Sequence, residues 1–198
     1  MFITCLGPYL HAQMRVNAKW ECRGAQALTA DQMIARLDSG MDRHDHESSK
    51  CICAYVESLA IARDERAIPA IARYLDLPNP MTNADVAAHL SEERWTLLGG
   101  RYPAEEALAE FRQRARPVLI ETIRSEAAFT QKSKNALELF MLIGAVHPDH
   151  AVKSLLDAAA TTSGTEAKML RLAASKALAT PECERVRPAC EHVAIPAH

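Results

Sequence analysis

Apolar residues recur at helical spacing most clearly between Cys51 and Pro78, in CICAYVESLAIARDERAIPAIARYLDLP. Ile52, Tyr55, Val56 and Leu59 fall on one face of a first helix, and Ala60 and Ala62 are small enough to let a second helix approach. Asp64 and Glu65 make the turn and suit the positive N-terminus of the second helix. Ile68, Ile71, Ala72 and Leu75 form a second stripe, and Pro69 lies in its first turn, where a missing N–H costs nothing. Leu77-Pro78-Asn79-Pro80 ends the unit. The pattern predicts a helix–turn–helix pair.

The same arrangement returns in KNALELFMLIGAVHPDHAVKSLLDAAA. When Ala151 and Val152 are set against Ala67 and Ile68, Leu139, Phe140 and Ile143 fall on Tyr55, Val56 and Leu59, Gly144 on Ala60, and Leu155 on Ile71. Small residues recur where two helices must approach and apolar ones where they must pack, which marks a repeated unit. A third unit is expected near Thr165-Glu166, with Met169, Leu170, Leu172, Ala173, Ala174 and Leu178 in a well-buried helix and Val186, Cys190 and Val193 in a shorter one. RARPVLIETI around Pro117 matches RAIPAIARYL around Pro69 in part, with Arg116 where Ile68 stands.

The remaining segments are less regular. Residues 1–46 carry one short helix, with Thr29 as N-cap, Gln32 at the capping-box position, Met33, Ile34 and Leu37 apolar, and Gly40 as its end. MDRHDHESSK reads as a polar linker in which Ser48 or Ser49 starts the next helix. Between residues 81 and 129, Thr82 or Asn83 can cap a helix stopped by Gly99-Gly100. Pro103 opens another over Ala107, Leu108 and Phe111, and Pro117 a third over Leu119, Ile120 and Ile123. Residues 47–198 are therefore expected to form one helical repeat domain after an irregular N-terminal segment.

Composition agrees with the pattern. In 198 residues, aromatic content is 5% and glycine numbers seven, both low for strand-and-turn architecture. The fold class expected is all-α. A formal net charge of -2 gives no general pull toward nucleic acid or an anionic membrane. No apolar run reaches the ~18 residues of a membrane span. MFITCLGPYLHAQ resembles the tail of a secretory signal but lacks a basic start, so the compartment stays open: cytoplasmic by default, exported if this is a shortened signal. Cys51 and Cys53 are expected as buried thiols, since i and i+2 point to different faces. Cys183 and Cys190 stand roughly 10 Å apart on a continuous helix, beyond disulfide reach unless Pro188 breaks it.

Helix pairs of this length, with small residues in the first helix, an Asp-bearing turn and AIPAI opening the second, resemble HEAT-like repeats, nearest to the Ala-rich type of phycobilisome-lyase-like proteins. The resemblance covers Cys51 to Pro78 and Asn135 to Ala160, and Glu166 to Val193 more weakly. It implies a right-handed α-α superhelix offering a surface to partners, and it carries over no catalytic residue and no cofactor. Irregular spacing of the units departs from a regular array.

Candidate chemistry is sparse. His44, His46, Cys51 and Cys53 have ligand-like side chains, but Cys-x-Cys departs from zinc spacing. His147 and His150 flank Pro148-Asp149 in a turn whose acid also serves as a cap. Glu92-Glu93 and Glu105-Glu106 are expected on exposed faces, and Arg112 to Arg116 as a solvated basic face. The reading is a non-enzymatic protein-interaction scaffold with a protein or peptide partner and no nucleic acid, contacted through the second helices at Arg66, Arg73 and Lys153. The alternatives are a lyase-like or DNA-glycosylase-like HEAT enzyme, or a capping subunit of a larger assembly.

Overall fold

A computed structural model describes residues 22–80 and 102–194, and every regular element among them is helical. The fold class is all-α, as the periodicity predicts. The chain divides into two compact units, Met1–Phe111 and Arg112–His198.

In the first unit, a 3₁₀ turn at Ala25–Ala27 leads to α1, Ala30–Asp38. The predicted capping box is present: the Thr29 hydroxyl accepts from the Gln32 amide at 3.3 Å, and the Thr29 amide donates to Gln32 Oε1 at 2.9 Å. α1 closes at Asp38, and Gly40 takes a left-handed φ of 77° two residues on. α2, His46–Ala62, begins earlier than expected. Asp45 rather than a serine caps it, its carboxylate accepting from the Ser48 amide at 2.8 Å. Ser49 is instead buried and donates to the Arg43 carbonyl at 3.0 Å, which folds the linker back along the helix.

A 3₁₀ turn at Glu65–Ala67 runs into α3, Ile68–Ala72. The second stripe reaches Leu75 as expected, but the α-helix does not. After Ala72 the chain tightens into i→i−3 bonds, Leu75 N to Ala72 O and Leu77 N to Tyr74 O, which keep Leu75 and Leu77 buried before Pro78. α4, Pro103–Ala109, opens at the expected proline and buries Ala107 and Leu108 against α2 and α3. α1 adds Met33 and Leu37 to the same core, about 2 kcal/mol each by burial.

The second unit starts with a 3₁₀ turn at Arg112–Ala115 and α5, Arg116–Ser125, with Pro117 in its first turn. Then come α6 (Gln131–Ile143), α7 (Pro148–Ala160), α8 (Gly164–Ala177), α9 (Pro181–Arg185) and α10 (Arg187–Ala194). Thr130 caps α6 through the Ser133 amide at 3.3 Å. The expected close approach lies at the α6–α7 turn, where a Cβ built on Gly144 would stand 2.9 Å from Ala151 Cβ. Beyond that turn the two helices separate: α5 lies mainly along α6, and α7 along α8 and α10. α8 also packs on α5, so the helices surround a shared core of Leu119, Ile123, Phe140, Leu155 and Leu170.

Candidate functional site

The cysteines carry the first correction. Cys51 is not a buried thiol; it is joined to Cys22, with the Cα atoms 4.7 Å apart. Spacing offered no way to choose Cys22 as its partner, because pairing across 29 residues depends on where α1 docks. Cys53 is buried and belongs to neither disulfide. Cys183 and Cys190 are also joined, with Cα atoms 5.8 Å apart. The helix does break between them, at Val186, and Pro188 occupies the first turn of α10.

Disulfide formation at Cys51 removes a thiolate from the histidine–cysteine cluster. Among the described residues no three His, Cys, Asp or Glu side chains gather as a metal site. His147 and His150 stack with ring centroids 5.0 Å apart, and His150 Nε2 lies 3.7 Å from Asp149. The Arg112–Arg116 face is not uniformly solvated. Arg116 is half-buried, with its guanidinium 4.5 Å from the Phe140 ring centroid and 3.4 Å from Ser154 Oγ, and burial pulls its pKa down. Glu92, Glu93, Trp95, Trp20 and Cys5 lie outside the described residues.

Two of the expected partner contacts, Arg66 and Arg73, come together with α1. Arg66 Nη1 lies 2.8 Å from Asp31 Oδ1, and Arg66 also grips Asp64, the cap of its own turn, at 2.6 Å. These two carboxylates hold the guanidinium pKa above its already high ordinary value, with Asp64 the larger cause. Arg73 Nη1 donates to the Asp38 carbonyl at 3.0 Å, and its Nε lies 3.5 Å from the Asp38 carboxylate. Asp31 and Asp38 are seven residues apart, as are Arg66 and Arg73. On α1, seven residues are two helical turns, about 10 Å, which puts Asp31 and Asp38 on one side of the helix, while Arg66 in the 3₁₀ turn and Arg73 just past α3 bracket that helix at its two ends. The result is a charge ladder of matched period.

Two tyrosines fasten the same contact. Tyr74 donates to the Leu37 carbonyl at 2.8 Å and accepts from the Met41 amide at 3.2 Å. Arg43 lies over the Tyr74 ring at 5.0 Å, pairs with Asp76 at 2.8 Å and donates to the Arg73 carbonyl. Tyr55 accepts from Arg36 Nη1 at 3.0 Å and lies 3.5 Å from Cys22 Sγ. A disulfide sulfur has no proton, so the hydroxyl donates there. Lys153 belongs to the second unit and pairs with Asp157 of its own helix at 2.6 Å.

The sequence marked Arg66 and Arg73 but not what would meet them. The available signal was the shared seven-residue period of Asp31/Asp38 and Arg66/Arg73. No helix among the described residues is long and apolar enough to cross a membrane. No family model, curated protein or solved structure matches the chain.

Proposed function

We propose that the protein is a non-enzymatic interaction module built from HEAT-like helix pairs, whose second-helix face at Arg66 and Arg73 receives an acidic amphipathic helix of a protein or peptide partner. One observation carries the reading: that face already holds such a helix, α1, through two exposed carboxylates two turns apart, while Met33 and Leu37 are buried from another side of the helix. Arginine suits this use, because its planar donors engage carboxylate and carbonyl oxygens together, as Arg73 does at Asp38. The close approach of Gly144 and Ala151 supports the alignment of the two helix pairs. The packing of α8 on α5 departs from a linear stack, in which each repeat touches only its neighbours. The binding face is therefore assigned to one hairpin and needs no extended groove.

The test uses a fluorescent peptide of residues 28–40 and full-length protein carrying Asp31→Lys and Asp38→Lys, which weaken the internal occupant. Saturable binding that disappears when Arg66→Gln and Arg73→Gln are added supports the proposal. Equal binding with and without the arginines, or none at millimolar protein, refutes it; such concentrations match the effective concentration of a tethered competitor.

A further inference from the structure

α1 is a short helix whose seat rests on a few contacts, the Tyr74 and Tyr55 hydroxyls among them. It has nine residues, fewer than the ~12–15 at which an isolated helix becomes stable in water, so its helicity depends on its seat. Only Met33 and Leu37 of α1 are buried. Its ion pairs lie at exposed positions, where such pairs contribute little. Upstream, the Cys22–Cys51 bond ties the strand entering α1 to the second turn of α2, and the linker after α1 is already continuous with α2. α1 is thus enclosed in a covalent loop and fixed to the same helix at both ends.

We propose that α1 is a redox-latched strap: with Cys22–Cys51 oxidised it holds Asp31 and Asp38 on the exposed guanidinium groups of Arg66 and Arg73, and with the bond reduced it releases those groups to a partner. The inference rests on reading that face as the partner site, and it names the regulation of that site. Cys51 is half-buried whereas Cys22 is buried, so Cys51 Sγ is the sulfur an external dithiol attacks. One thiolate of the dithiol forms a mixed disulfide with Cys51, and Cys22 leaves as a thiolate that takes up a proton. The second thiol of the reductant then displaces Cys51. The products are two protein thiols and one oxidised dithiol, a transfer of two electrons and two protons. Opening affects Arg73 most, because Asp38 supplies both its side-chain partners, whereas Arg66 keeps Asp64.

Hydrogen exchange on the full-length chain tests the latch, with Cys183→Ser and Cys190→Ser present so that reduction acts on Cys22–Cys51. On adding dithiothreitol, amides of residues 30–38 are expected to exchange at least ~10-fold faster, while those of 46–62 keep their protection. Unchanged exchange in α1 overturns the proposal, as does equal acceleration in α2, which would make the bond a general staple. Cys22→Ser with Cys51→Ser should reproduce the reduced pattern without reductant; if that variant does not fold, chemical reduction alone decides. Faster exchange in α1 without capture of the residue 28–40 peptide leaves the latch standing and removes the docking reading alone.

Discussion

Gly144→Ala tests whether the second helix pair is built on a close approach at its turn. The new Cβ would lie 2.9 Å from Ala151 Cβ and 3.4 Å from the Phe140 carbonyl oxygen, whereas non-bonded carbons settle at ~3.5–4.0 Å. Ala151 is fully buried, and its Cβ moves only with the α7 backbone, so no rotamer relieves the contact. Overpacking of this kind costs ~1–3 kcal/mol. Gly144 has φ -88° and ψ 8°, which alanine tolerates, so a less flexible unfolded chain returns ~0.4–1 kcal/mol. The net expectation is a loss of about 1–2 kcal/mol, or a fall of ~2–8 °C in the thermal midpoint for a chain of this size. Ala151→Gly alone should also destabilise, by about 1–2 kcal/mol through helix propensity and a lost buried methyl. Combined with Gly144→Ala it removes the opposing methyl, so the double variant should be more stable than the sum of single effects by ~1 kcal/mol or more. Urea denaturation of the four proteins measures this. A neutral Gly144→Ala, or strict additivity, would refute the close approach.

Arg116→Ala should destabilise the second unit by ~1 kcal/mol, measured by urea denaturation, because it removes both the cation over Phe140 and the packed stem of the arginine; no loss would place Arg116 in solvent. Cys183→Ser should cost ~2–3 kcal/mol by loss of a short closed loop and should lower helicity in circular dichroism through α9 and α10, whereas unchanged unfolding would argue against the bond. Asp45 titrates below the usual aspartate range, first because the Ser48 amide and then its hydroxyl bond the carboxylate, and Asp64 does so first through the Arg66 side chain. A depressed folded pKa gives stability present above the ordinary value of ~3.9 and lost as pH falls through the folded value. Asp45→Asn should therefore flatten the acid limb of the stability curve below pH ~4, and an unaltered limb would show that the Asp45 carboxylate supplies none of that stability.

Much of the fold was legible because helices announce themselves through local chemistry. Thr29 with Gln32, the prolines at 69, 103 and 117, and the stripe of Ile52, Tyr55, Val56 and Leu59 each act within one or two turns, and the structure keeps them. Competition between neighbours was less legible. Asp45 caps α2 one turn before the serines, so Ser48 and Ser49 lie inside the helix, and the Ser49 hydroxyl donates to the Arg43 carbonyl. Tertiary pairing was least legible of all. Nothing local places Cys22 beside Cys51, lays α8 on α5, or gives Arg66 and Arg73 to the aspartates of α1. Repeat register sets Lys153 beside those arginines but says nothing of Asp157, one turn along its own helix, with which it pairs.

Pairing of the α1 aspartates with Arg66 and Arg73 underlies both the proposed binding face and its proposed latch, and a charge-swap cycle measures it directly. Asp31→Arg with Asp38→Arg, and Arg66→Asp with Arg73→Asp, should each lower the urea midpoint and speed amide exchange in residues 30–38. Carrying all four substitutions together should restore part of both, less than the whole because aspartate at position 73 cannot donate to the Asp38 carbonyl and aspartate at position 66 faces Asp64. A quadruple variant as unstable as the two pairs added would show that the carboxylates and guanidinium groups do not read one another, and the proposed binding face would lose its foundation.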